Sequence, residues 1–294
     1  MLVIVSASAY GSLSILTTLG GRIGVGLLTL MAWRYALAAP VLAAIAGPRA
    51  LAAVPWRRAL ALFVIGGGGQ SLVTYFSLSA LQWMPAASLG FLFYTYPAWV
   101  AIFAAVSGTE RLTATRIGAL VLALFGITLM VGAPWNLALP WPGVWRALLS
   151  AVIYAAYIPL LHRLRGPLSP AAASTYLIAG AATIFLVAAG RNGGALAPML
   201  AATVAPLAWT YAAILALYCT VVSFLTFLRG LEVLGAVRAA ILSTTEPLFT
   251  AVLALLILQQ PLGLPTLLGG ACIVAAILVL ERATPPTDAL PHAA

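Results

Sequence analysis

The stretch ILSTTEPLFTAVLAL, residues 241–255, sets one carboxylate, Glu246, inside a run that otherwise reads as hydrocarbon. A carboxylate in such a run is costly unless it is protonated, paired or wet, so it must turn toward protein or water rather than lipid. Two chemistries suit it. Either Glu246 belongs to a Glu-Pro pair that serves helix packing, or it binds a substrate amine or a coupling proton. Arg34, in MAWRYAL, is a second charge within an apolar run, and either snorkels to the interface or pairs with Glu246. Polar side chains also recur at helical spacing. Tyr10 and Ser14, Gln70 and Thr74, Tyr154 and Tyr157, and Cys219 and Ser223 each share one helix face. The candidate substrate-binding residues are therefore Tyr10, Ser14, Gln70, Thr74, Tyr94, Tyr154, Tyr157, Ser223, Thr244 and Glu246. Each pair alone is equally suited to hydrogen bonding between helices.

Catalysis is a poor match for this set. An enzyme site needs a nucleophile beside a base, paired carboxylates or metal ligands, whereas the apolar runs offer one Glu and no His beyond His162 at a run's edge. The other histidine, His292, lies near the carboxyl end, and Cys219 and Cys272 stand far apart, so no metal site, cofactor site or disulfide framework is expected. IGGGGQ, residues 65–70, resembles a phosphate loop only until its missing Lys-Ser/Thr is noticed. Inside an apolar run it predicts close helix packing or a bend.

The elements that position these residues follow from hydropathy. Of the 294 residues 64% are hydrophobic and 6% charged, which marks an integral membrane protein. A span needs about 20 apolar residues to cross roughly 30 Å of hydrocarbon. Ten runs qualify, near 2–20, 26–46, 59–81, 86–107, 115–132, 143–162, 170–190, 206–228, 236–258 and 263–281. The first contains ASA at 7–9, yet no positive charge opens the chain, so it is read as helix one rather than a cleaved signal. Trp56, Trp83, Trp135, Trp141 and Trp145 fall at span ends, as interfacial anchors do.

All the basic residues are arginines, dispersed among short loops, so the net charge of +9 predicts no nucleic-acid partner. With ten alternating spans and a cytoplasmic amino terminus, Arg49, Arg57, Arg58, Arg111, Arg116, Arg163, Arg165, Arg229, Arg238 and Arg282 fall inside and only Arg22, Arg146 and Arg191 outside. Positive loops are retained in the cytoplasm, so both termini are expected there.

The chain also repeats. ALQWMPAASLGFLFYTYPAWVAIFAA, from Ala80, aligns with GLEVLGAVRAAILSTTEPLFTAVLAL, from Gly230, placing Pro97 on Pro247 and Thr95 on Thr245. Five helices per half is an odd number, so the halves must be inverted. Each proline lacks an amide donor and frees a carbonyl one turn earlier, near Phe93 and Ser243, where Thr244 and Thr245 are available partners. The expected units are 1–135, 136–282 and a cytoplasmic tail, 283–294.

These repeats resemble a known family. The proline, glutamate and Gly-Ala pattern after Pro97, and the Leu-Glu-x-Leu-Gly-Ala, Glu-Pro and Gly-Gly-Ala pattern from Leu231, look like the two EamA repeats of the drug/metabolite transporter superfamily. Tyr10-Gly11 and Tyr154-Ala155 stand where such repeats begin. Glu110 departs from the repeat pairing, since its partner is Gln260. The resemblance implies an all-α membrane protein, ten transmembrane helices in two inverted five-helix repeats around a central cavity. It is most similar to bacterial exporters of aromatic and other neutral amino acids.

Substrate class follows from what the spans lack. Phosphorylated solutes call for several buried cations, and lipophilic cations for more carboxylates than Glu246. A net-neutral solute fits, and tyrosine rings suit a zwitterion with an apolar or aromatic side chain. The expectation is a secondary transporter exporting large neutral amino acids, in contact with membrane lipid, with efflux of another small metabolite or drug as the alternative.

Overall fold

The computed structural model describes residues 1–80, 82–84, 86–108, 113–131, 140–191, 199, 205–259 and 262–282. Glu110, Arg111, Trp135, Gln260 and the tail 283–294 lie outside them. The regular structure is all helical among the described residues and falls where the apolar runs predict. Helices one and two are Leu2–Arg22 and Leu27–Ala46, followed by the short Pro48–Ala52. Helix three comprises Trp56–Ala61, a π-helical turn Leu62–Gly66, and Gly67–Ala80. Helix four is split into Ala86–Phe93 and Tyr96–Val106, and helix five is Ala114–Val131. Helices six and seven are Trp141–Arg165 and Pro170–Arg191. Helix eight joins Ala205–Ala216, a π turn Leu217–Val222 and Ser223–Leu234. Helix nine is split into Ala236–Ser243 and Glu246–Leu258, and helix ten is Leu264–Arg282.

The two splits have one cause. Pro97 and Pro247 each occupy the first turn of the second half-helix, where a missing N–H is harmless. One turn back the chain tightens: Thr95 N–H bonds to Leu92 O at 3.3 Å, and Thr244 and Thr245 N–H bond to Ile241 and Leu242 O at 3.0 and 3.2 Å. The threonine hydroxyls bond to the same carbonyls, Thr95 Oγ1 to Leu92 O at 2.7 Å, Thr244 Oγ1 to Ile241 O at 2.6 Å and Thr245 Oγ1 to Leu242 O at 2.9 Å. Backbone that breaks at membrane depth is thus satisfied locally.

Helix two packs along helix seven, helix five along helix ten, helix three on helix six, and helix one between helices eight and nine. Lipid tails are as apolar as leucine, so association depends on close approach of small residues. A methyl group on Gly126 would meet Gly269 O at 2.6 Å, and one on Gly67 would meet the Gly180 and Ala181 backbone at 2.7 Å. Gly69 lies beneath the Tyr157 ring, which a methyl group there would meet at 2.6 Å. The IGGGGQ run therefore provides both a π turn and close packing. Outward faces are apolar and exposed, as at Val121 and Phe125 on helix five and Leu264, Leu268 and Leu278 on helix ten. Trp56, Trp83 and Trp141 are exposed at helix ends. Where helices six and eight end, Glu232 accepts from Arg165 at 3.2 Å and Arg229 at 2.9 Å.

Candidate substrate-binding site

Glu246 opens the second half of helix nine, where unpaired amide groups carry partial positive charge that suits a carboxylate. Its counterpart in the first repeat, because Pro97 matches Pro247, is Tyr96. The broken turns bring the two repeats together: Tyr94 and Glu246 lie within electrostatic reach of each other. Tyr154 meets Tyr96 edge-on at 4.8 Å and stacks on Phe93 at 5.5 Å with 29° between planes. Phe93 also contacts Tyr94 at 5.9 Å. Tyr10, from helix one, lies edge-on to Phe224 at 6.1 Å.

Tyr10, Phe93, Tyr94, Tyr154 and Glu246 are only half-buried although they sit among the central helices. The group is aromatic, with one carboxyl group among the rings. Thr74 is also half-buried, with its hydroxyl bonded to Gln70 O at 2.9 Å.

The other predicted residues are more deeply buried. Gln70 donates to the Tyr35 hydroxyl at 3.1 Å, Tyr157 to Gly66 O at 2.9 Å, and Ser223 to Cys219 O at 2.7 Å. All three are buried, as is Thr244. The Ser14 side chain lies outside the described residues. Gly11 has a steric reason: a methyl group there would meet Glu246 O at 2.8 Å, and Thr250 Oγ1 reaches Gly11 O at 3.0 Å. In Tyr10-Gly11 the glycine seats helix nine against helix one.

Arg34 neither snorkels nor forms an ion pair among the described residues. It is 2% exposed. Its Nε donates to Thr220 Oγ1 at 2.7 Å and its Nη2 to Cys219 O at 2.8 Å, with the guanidinium 4.9 Å from the Tyr35 ring centroid. Thr220 and Cys219 belong to the π turn of helix eight, as Gly66, bound by Tyr157, belongs to that of helix three. Each widened turn offers a carbonyl to a side chain from another helix.

Sequence reasoning passed over Phe93 and Tyr96. Tyr96 was signalled by its alignment with Glu246, and Phe93 by its place one turn before Pro97. Among the described residues no group of three His, Cys, Asp or Glu could hold a metal.

A ten-helix bundle whose two halves carry matched helix breaks is an architecture that membrane transporters use. The chain belongs to the EamA-like transporter family, whose profile matches residues 1–132 and again 141–282. It is 29% identical over 197 residues to a Bacillus subtilis (strain 168) protein named uncharacterized transporter YcbK, covering 65% of this chain and 62% of that one. An uncharacterized transporter of Archaeoglobus fulgidus is 27% identical over 208 residues, 70% of each chain. The chain thus matches less than two thirds of the Bacillus relative's length. A solved crystal structure shares the fold, with a TM-score of 0.81 at 20% identity over 96% of this chain and 95% of that one.

Proposed function

We propose that the protein exports large neutral amino acids, aromatic ones included, across a bacterial cytoplasmic membrane with both termini in the cytoplasm. The observation that carries this reading is the single carboxylate of Glu246 set in a wall of Tyr10, Phe93, Tyr94 and Tyr154. A carboxylate surrounded by aromatic faces attracts an ammonium by charge and by cation–π contact, while the rings accept an apolar side chain. Hydroxyl groups at Tyr10 and Thr74 are at hand for the substrate carboxylate. The units proposed are 1–135 and 136–282, rocking about the cavity, with 283–294 as a tail. Alternating access is favoured by the breaks at Tyr94-Thr95 and Thr244-Thr245, which interrupt helices four and nine at the cavity.

The deciding experiment is counterflow in proteoliposomes with labelled phenylalanine, leucine, glutamate, lysine and a sugar phosphate. Uptake of phenylalanine and leucine alone supports the reading. Movement of the phosphate or of lysine, with no neutral amino acid moved, overturns it.

A further inference from the structure

Arg34 is an enclosed cation with no anion against it among the described residues. Its Nη1 approaches only Met31 Sδ, at 3.7 Å, and its other contacts are the Thr220 hydroxyl, the Cys219 carbonyl and the Tyr35 ring. A neutral amide could donate similar hydrogen bonds with far less desolvation cost, so hydrogen bonding alone does not account for a buried charge. The same turn of helix eight that holds Arg34 leads toward Tyr10. Arg34 Nη2 donates to Cys219 O, Ser223 Oγ donates to the same carbonyl at 2.7 Å, and the next residue, Phe224, lies edge-on to the Tyr10 ring at 6.1 Å. Tyr10 is half-buried on the wall, and both Tyr10 and Glu246 lie within electrostatic reach of Arg34.

We propose that Arg34 determines charge specificity: its fixed positive charge, anchored behind Tyr10 by the opened turn of helix eight, selects occupants that carry a carboxylate as well as an amine. Glu246 by itself would accept any organic amine. With Arg34 behind the opposite hydrogen-bonding group, a zwitterion finds a favourable field at both ends, and a simple amine meets repulsion that only Glu246 offsets. The inference rests on the cavity being the amino-acid site.

The test is binding to the purified full chain of three solutes that share one apolar body: phenylalanine, phenethylamine and 3-phenylpropionate. Wild type is expected to bind phenylalanine roughly tenfold more tightly than phenethylamine, equivalent to about 1.4 kcal/mol. Arg34→Gln should reduce that ratio to about twofold or reverse it, whereas Arg34→Lys, which keeps the charge, should retain most of it. If Arg34→Gln does not fold, the comparison passes to Glu246→Gln with and without Arg34→Gln, since neutralising both charges removes the uncompensated one. There the added substitution should weaken phenylpropionate binding by roughly tenfold. A folded Arg34→Gln protein with an unchanged ratio overturns the inference and leaves the amino-acid reading standing. So does an unchanged phenylpropionate affinity in the neutral pair. Wild type that binds none of the three, or prefers phenethylamine, overturns both.

Discussion

Tyr94 and Glu246 lie within electrostatic reach of each other across the two repeats, each at the point where its own helix is broken. The pair links the two halves where helices four and nine are interrupted. A buried carboxyl group needs hydrogen-bond donors close by, and Tyr94 supplies a hydroxyl from the opposite repeat.

Altering either member of that pair should therefore affect transport more than folding. Tyr94→Phe keeps the ring and is expected to raise the apparent KM for phenylalanine about tenfold. Glu246→Gln keeps size and hydrogen bonding but deletes the charge, and is expected to lower counterflow by more than about tenfold with little change in thermal stability. The check is counterflow beside a melting curve. A Gln variant transporting at near wild-type rate would assign Glu246 to packing.

The glycine at helix one makes a steric prediction. At Gly11 an added methyl group meets backbone on two sides, Glu246 O at 2.8 Å and Thr250 N at 3.1 Å, so nothing flexible can give way. Gly11→Ala should cost about 1–3 kcal/mol as overpacking and displace the first turn that carries Glu246. A thermal shift assay together with counterflow reads both effects. Gly21→Ala, where a methyl group meets nothing within 4 Å, is the control expected to leave both unchanged.

Both termini are expected in the cytoplasm. Among described cationic residues Arg49, Arg57, Arg58, Arg163, Arg165, Arg229 and Arg238 gather toward one set of helix ends and Arg22, Arg146 and Arg191 toward the other. Reporters fused after Ala294 should be active only as cytoplasmic fusions. A fusion active solely in the periplasm reverses the orientation, and with it the direction assigned to export.

Spans, splits and the carboxylate were legible in the sequence because each depends on residue type along one stretch of chain. Apolar length marks a span, Pro97 and Pro247 mark the splits, and Glu246 stands out against hydrocarbon. The partners of Arg34 were not legible, because they depend on the π turn at Leu217–Val222, a shift in backbone hydrogen-bond register that no side-chain pattern announces. The same holds for Tyr157 and Gly66. The difference between the two tyrosines of helix six was equally hidden. Tyr154 and Tyr157 share a helical face, yet the small rotation between them leaves one half-buried against Phe93 and Tyr96 and takes the other to a carbonyl of helix three.

The breadth of specificity is the last expectation. The wall offers ring faces and a single charge rather than a shaped pocket of buried donors, and such a surface discriminates weakly among apolar side chains. One methylene more or less changes burial by only about 0.8 kcal/mol, roughly a fourfold change in affinity. Phenylalanine, leucine and methionine should compete for one another's transport within about tenfold, while glutamate and lysine, whose extra charge has no partner on the wall, should compete poorly. Tyr154 supplies the ring that stacks on Phe93, so Tyr154→Ala should weaken phenylalanine more than leucine, the aromatic contribution being about 0.5–1.5 kcal/mol. Competition assays in proteoliposomes measure both. Equal losses for phenylalanine and leucine would mean that Tyr154 supports the helices without touching the substrate.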